Sequence, residues 1–417
     1  MFKRLSLLVA LLLAPVAALA SELPTAAPAD VGLSAEKLDA MKAHFQSYVD
    51  ENKIAGFTTL VARHGKVAHF EASGVRTLEG GEPMTKDAIF RIYSMTKPVT
   101  GVALMMLYED GKFDLDDPVS KYIPAFADAR VFKAAGEDGS MLTEPAAREV
   151  TIRDLMRHTA GLSYGVFSET PVDMSYRKNQ LIGVDQPLGD WVPRLAEEPL
   201  LYQPGGAWVY SLAVDVQGYL VEVLSGQTFD AFLAERLFEP LSMKDTAFYV
   251  PEGKVDRFVG IYDFDKEKGL APTQNPLIQD FTKEPLFKSG GGGLVSTTTD
   301  YWRFAQMMAN GGELDGVRIL KPETVELMRT DQLPEGVNGI GGKGVIGFGL
   351  DFAVVKNAEA FGGGNAGEYY WGGMANTVFW IDPVDEVVAI FMANVLPYGA
   401  IDPRTPMRKF VNEAVMD

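Results

Sequence analysis

The chain has 417 residues, 38 basic against 56 acidic side chains, a formal net charge of −18 and no cysteine. Those counts exclude a disulfide framework, a thiolate metal site and a lipid-attachment cysteine, and so acidic a surface argues against nucleic acid or anionic membrane as a partner. Four histidines leave few candidates for a catalytic triad or a multi-histidine metal site, so no metal or cofactor is expected.

The chain opens with Met1-Phe2-Lys3-Arg4, an apolar run from Leu7 to Ala14, and Ala18-Leu19-Ala20 before Ser21. This is the pattern of a secretory signal peptide, and cleavage after residue 20 is expected. Losing Lys3 and Arg4 and no acidic residue would take the charge from −18 to −20. The run is too short to span a membrane, so no stable membrane anchor is expected after cleavage, and the location is periplasmic or secreted. The remaining length exceeds what one core usually sustains, so two lobes are expected.

Leu33-Ser34-Ala35-Glu36-Lys37 opens a helix that continues through Met41, Phe45 and Tyr48, with Ser34 as its N-cap. Ser34 and Lys37 form a Ser-x-x-Lys pattern that is read as a helix start and nothing more. Thr58 to Arg63 and Val67 to Ser73 are short strands about the turn His64-Gly65-Lys66, which places His64 and His69 in a turn and a strand, away from chemistry.

The stretch Phe90 to Thr100 then carries Ser94-Met95-Thr96-Lys97 at the opening of an apolar helix. Val99, Val102, Ala103, Met106 and Leu107 follow the spacing of a buried stripe, and Leu104 and Met105 widen it. Pro98 is tolerated only in a first turn, which puts Ser94 at the helix start, and Gly111 is a natural stop. Residues three apart share a helix face, so Ser94 and Lys97 converge.

Asp114-Leu115-Asp116-Asp117-Pro118-Val119 reads as a turn, and residues 125–149 as a polar, irregular excursion. Thr151-Ile152-Arg153-Asp154 begins a helix with a capping box and leads into His158-Thr159-Ala160-Gly161-Leu162. Residues 163–205 suit a loop-rich cover over a pocket. Ser211 to Leu224 is a helix ended by Gly226, and Phe229 to Leu237 is another. Residues 251–288 have no clear periodicity, and Ser289-Gly290-Gly291-Gly292-Gly293-Leu294 marks a close backbone approach. A helix spans about Thr299 to Met308. Tyr369 to Ile381 and Val387 to Ala393 form a hairpin about Asp382-Pro383-Val384-Asp385, and Met407, Phe410, Val411, Ala414 and Val415 stripe a terminal helix. The expected fold is therefore α/β (α+β): an antiparallel sheet built from both chain ends, flanked by helices, with an inserted, mostly helical lobe. The sheet lobe takes about 21–110 and 290–417, and the inserted lobe about 111–289.

A serine hydroxyl is a poor nucleophile until a base takes its proton. Lys97 can act so if burial and a positive neighbourhood lower its pKa, and the helix start leaves the Ser94 amide free for an oxyanion. Alone, the pattern also fits a capping serine beside a surface lysine; the apolar helix weakens that alternative. A competing motif, Gly161-Leu162-Ser163-Tyr164-Gly165, matches a nucleophile elbow, which needs a histidine later in the chain. None follows His158, so a Ser163 triad of that order is excluded.

Phe90 to Thr100, Asp114 to Val119, Thr151 to Leu162, Tyr210-Ser211 before a helix, and Gly291-Gly292-Gly293-Leu294 followed by Ser296 together resemble the serine β-lactamase-like superfamily. The closest branches are class C β-lactamases and family VIII carboxylesterases, and the resemblance covers nearly the whole chain after residue 20. It implies Ser94 as nucleophile, with Lys97 and Tyr210 as general base and acid. Trp371-Gly372-Gly373-Met374 resembles the Trp-Gly-Gly strand of the esterase branch rather than Lys-Thr-Gly, which implies Trp371, Gly372 and Gly373 at the substrate and the Met374 N–H beside that of Ser94 as oxyanion donors. Leu212 stands where β-lactamases carry asparagine. His158 belongs to a structural turn. Tyr164, Phe167, Trp191, Tyr202, Trp208, Tyr369 and Tyr370 are candidates for lining an acyl pocket, although each also fits core or loop packing. The resemblance implies a serine hydrolase acting on small or medium carboxylic esters. The alternatives are β-lactamase, D-alanyl carboxypeptidase or acyltransferase chemistry on the same site, or a non-catalytic penicillin- or peptidoglycan-binding protein.

Overall fold

Two strands from the first fifth of the chain and five from its last fifth pair into one seven-stranded sheet. The strands are β1 (Gly56–Arg63), β2 (Lys66–Gly74), β3 (Ile346–Phe348), β4 (Ala353–Val355), β5 (Tyr369–Gly372), β6 (Val378–Asp382) and β7 (Val387–Met392). Their order is β3-β4-β5-β6-β7-β1-β2, and every neighbouring pair is antiparallel. β1 and β7 join the two ends of the chain, with Thr58 opposite Met392 and Val61 opposite Ala389. The computed structural model describes residues 23–136, 140–275, 278–342 and 344–416, so the expected signal peptide lies outside the described residues.

The period of two along each strand decides what covers each face. Phe57, Val61, Trp380, Ala389 and Phe391 point to one side, where Leu38, Met41 and Phe45 of α1 (Ala35–Asp50) and Met407 and Val411 near the C-terminus cover them. Leu60, Phe379, Ile381, Val388 and Ile390 point to the other, into the larger core. That core contains α2 (Thr96–Glu109), α3 (Ala213–Ser225) and α4 (Thr298–Ala309), and Tyr301 on α4 meets Phe379 edge-on at 4.9 Å. With both faces covered, the strands read as continuous apolar runs such as Val378-Phe379-Trp380-Ile381. The terminal helix is α5 (Arg404–Ala414).

α2 is buried without a break from Thr96 to Leu107. Each fully buried leucine, valine or methionine there contributes about 1.5–3 kcal/mol, so a Leu104→Ala change would cost about 2–5 kcal/mol. Pro98 sits in its first turn, as expected, after a single 3-10 turn at Tyr93–Met95. α3 lies against α2 and thereby brings the middle of the chain onto the floor of the sheet lobe.

Three stretches differ from the expectation. The irregular excursion contains a hairpin, Arg130–Ala135 with Met141–Pro145, whose largely exposed side chains carry no apolar alternation. Within 251–288, Tyr262–Asp265 pairs with Gly269–Pro272, and its first residues run parallel to Val395–Leu396. Tyr369 to Ile381 is two strands, because residues 373–377 turn, with Asn376 at φ 65°. The cover over the pocket also includes helices Pro171–Lys178 and Leu188–Ala196. Among the described residues no helix is long and apolar enough to cross a membrane.

Candidate active site

Phe90 and Arg91 pair with Ser296 and Val295, so the chain entering α2 runs beside the end of the glycine run. Tyr93 then takes φ 42°, a left-handed backbone that costs a non-glycine residue about 1–2 kcal/mol. This sharp turn sets Ser94 at the foot of α2, where the amide donors of a helix start have no partner within the helix.

Three side chains meet at Ser94. The Tyr210 hydroxyl donates to Ser94 Oγ at 2.7 Å, and Lys97 Nζ lies 3.3 Å from the same oxygen. Lys97 is 1% exposed, and its Nζ also donates to the Gly291 carbonyl at 2.6 Å. The ammonium lies 4.6 Å from the Tyr210 ring centre and 5.3 Å from that of Tyr164. Among the described residues no carboxylate is within ion-pair distance of it. Asp215 on α3 holds the glycine run in place, accepting from the Gly291 N–H at 3.0 Å and from Ser289 Oγ at 2.6 Å. A Cβ on Gly291 would stand 2.9 Å from the second Asp215 oxygen, so the close approach read from the sequence is real.

The lowered pKa that would leave Lys97 a free base at rest is not what its surroundings favour. Burial pushes the ammonium down, but the phenol oxygens of Tyr164 and Tyr210 and the Asp215 carboxyl outweigh it, and the net direction is upward. Burial also pushes the Tyr164 hydroxyl up, to about 12. Lys97 at rest is therefore a cation held by oxygen atoms.

The opposite wall is the end of β5. A Cβ on Gly373 would collide with Thr377 Oγ1 and with the Ile92 carbonyl oxygen, so glycine alone lets this wall close on the chain two residues before Ser94. Ser94, Tyr210, Trp371, Gly372, Gly373 and Met374 all line one cavity of about 560 Å³. The Trp371 ring lies 5.5 Å from that of Tyr210. Tyr164, Phe167, Trp208 and Tyr370 line the same cavity. Trp191 and Tyr369 are instead buried in the core, and Tyr202 is 47% exposed and lies off the cavity wall. Leu212 is buried in the core, which explains why an apolar residue is stable there.

The remaining candidates are engaged elsewhere. Ser163 reaches the cavity, but its hydroxyl donates to the buried Asp173 carboxylate. Ser34 Oγ accepts the Lys37 N–H as an N-cap, and Lys37 Nζ pairs with Glu413 at 2.8 Å. His64 pairs with Glu386, and His69 shares a hydrogen bond with Thr59 at 2.9 Å. Among the described residues no group of three or more His, Cys, Asp or Glu side chains is placed to hold a metal ion.

Sequence reasoning missed two contributors. Asp215 acts through a loop 74 residues away. Arg404, at the start of α5, lines the cavity with its guanidinium 5.5 Å from the Tyr370 ring centre and, among the described residues, without an ion-pair partner. A basic residue at a helix start, where the helix dipole disfavours it, is the signal that could have singled it out.

Residues 41–411 match the family described as Beta-lactamase. A Mycobacterium tuberculosis protein described as uncharacterized is 34% identical over 374 residues, 88% of this chain and 92% of its own. Esterase EstB of Burkholderia gladioli is 31% identical over 402 residues, 92% of this chain and 96% of its own. Among solved structures, EstCE1, a hydrolase with promiscuous acyltransferase activity, matches with a TM-score of 0.77 and 27% identity over 92% of this chain and 99% of its own. The chain belongs to the beta-lactamase family and is a serine hydrolase.

Proposed function

We propose that this protein is an esterase that cleaves small or medium carboxylic esters through an acyl-enzyme on Ser94. The observation that carries the reading is the meeting of Tyr210 Oη and Lys97 Nζ at Ser94 Oγ, at the edge of an aromatic-walled cavity. In the first step Ser94 Oγ bonds to the ester carbonyl carbon while its proton passes to the Lys97–Tyr210 pair. The Ser94 and Met374 N–H groups receive the oxyanion, a contribution of about 100- to 1,000-fold per donor. The C–O bond to the alcohol then breaks, and the pair's proton goes to the leaving oxygen. Water repeats the sequence on the acyl-enzyme, releasing the acid and restoring the Ser94 proton.

The raised Lys97 shapes this cycle. A resting ammonium is not a base, so the reactive form carries one proton fewer at Lys97. Turnover should therefore increase as pH rises. No cofactor enters any of these steps. The basic and then apolar start of the chain supports export to the periplasm or medium, which cell fractionation would check.

β-Lactam hydrolysis is the second reading. Trp371 and Leu212 replace polar contacts that a β-lactam would use, yet Arg404 puts a cation in the cavity where a substrate carboxylate could bind. Acyl transfer to an alcohol would use the same acyl-enzyme. The test compares turnover of a short-chain p-nitrophenyl ester with that of a chromogenic cephalosporin. Fast ester and negligible cephalosporin turnover, with the ester activity lost in Ser94→Ala, supports the esterase; cephalosporin turnover equal to or faster than ester turnover replaces it with the β-lactamase.

A further inference from the structure

His158 has no part in the cycle above, yet it is buried beside it. It is 1% exposed, it takes φ 56°, and its ring centre lies 5.1 Å from that of Tyr210. A left-handed histidine costs about 1–2 kcal/mol, so the neighbouring contacts must hold it in that conformation. Those contacts run to the loop that carries Tyr210. The His158 carbonyl accepts the Val209 N–H at 2.9 Å, and His158 Nδ1 shares a hydrogen bond with Ser211 Oγ at 3.0 Å. The residues immediately before and after Tyr210 are thus both tied to one residue. One step further out, the Leu212 N–H donates to the Ser163 carbonyl at 3.1 Å.

We infer that His158 is the positioning residue for Tyr210: it grips Val209 with its carbonyl and Ser211 with Nδ1, while its ring bears on the Tyr210 ring. This rests on the reading of Tyr210 as the proton partner of Ser94. The imidazole is neutral, because burial and the nearby Lys97 cation push its pKa well below the usual histidine value. Its role is thus geometric. An error of 1 Å in placing a reacting group costs about 100-fold in rate, and the Tyr210 hydroxyl has 2.7 Å to Ser94 Oγ to keep.

Asparagine is the informative replacement. Its δ atom is attached to Cγ as Nδ1 is, and asparagine tolerates a left-handed backbone better than most residues. The experiment measures kcat and KM for p-nitrophenyl butyrate, and the rate of fluorophosphonate labelling at Ser94, in wild type and in His158→Ala, His158→Asn and Ser211→Ala. The expected result is a fall of about 10- to 100-fold in kcat and labelling for His158→Ala with KM within about threefold, and recovery of most of it in His158→Asn. Ser211→Ala should fall in the same direction, and it keeps the question answerable if His158→Ala does not fold. A kcat within twofold of wild type in folded His158→Ala or in Ser211→Ala would overturn the inference, as would a His158→Asn variant as impaired as a folded His158→Ala. Failure of the esterase reading would show separately, as wild type that labels at Ser94 but does not turn over the ester.

Discussion

The chain carries Ser-x-x-Lys twice at the start of a helix, and the two copies have opposite fates. At Ser34 the hydroxyl accepts the Lys37 N–H, and the lysine, 42% exposed, pairs with Glu413 across the surface. At Ser94 the hydroxyl accepts from Tyr210, and the lysine is buried against Gly291 and two phenol rings, with no carboxylate partner among the described residues. Local spacing is the same in both. The second copy differs in what the rest of the chain brings to it: an apolar helix running into the core, a tyrosine from residue 210 and a carbonyl from residue 291. Such a pattern can serve chemistry only where the lysine is taken out of water and the fold brings a second proton carrier to the serine.

Substitutions at the two copies should break apart accordingly. Ser94→Ala should lower ester turnover by about 10,000-fold or more, the scale seen when a serine nucleophile is removed. Next in size, Tyr210→Phe should lower kcat by about 100- to 10,000-fold, the range of a lost general acid–base group. A phenylalanine variant with near-normal turnover would leave Lys97 alone as the proton carrier. The pH profile sharpens the same contrast. Since the Lys97 pKa is raised, its ammonium persists through neutral pH, and log kcat/KM should climb with a slope near one as Lys97 loses its proton. A profile that falls with rising pH from 6 to 9 would contradict this sign.

Arg404 sharpens the cavity side of the comparison. Arg404→Gln should raise KM for esters bearing a free carboxylate by about tenfold, the worth of one charge-assisted hydrogen bond, and leave neutral esters unaffected. Equal changes for both would mean that the guanidinium only packs on Tyr370. The smallest effects belong to the first copy. Ser34→Ala should cost about 0.5–2 kcal/mol of stability through the lost cap, read by denaturant titration, with turnover unchanged. Lys37→Met should leave turnover unchanged as well.

What could be read from the sequence was what is local or periodic. Pro98 placed the helix start, the apolar run from Val99 to Leu107 declared burial, and short β-branched and aromatic runs marked β1, β6 and β7. The break between β5 and β6 was illegible because Gly373 to Thr377 interrupts two apolar strands without a strong turn dipeptide. The pairing of residues 130–135 with 141–145 was illegible because most of those side chains are exposed and carry no alternation. The direction of the Lys97 pKa was illegible because the groups that raise it, at residues 164, 210 and 215, are remote in sequence, and no spacing around Ser94 reveals them. Arg404 was missed for the same reason: its place against Gly372 and Tyr370 follows from the packing of α5 on the sheet.

The most direct test of Ser94 as the nucleophile is mass spectrometry of the protein after reaction with a fluorophosphonate, in wild type and in Ser94→Ala. The expected result is one adduct, on the peptide that contains Ser94, and none in the variant. An adduct on the Ser34 or Ser163 peptide, or equal labelling of the Ser94→Ala protein, would contradict the account.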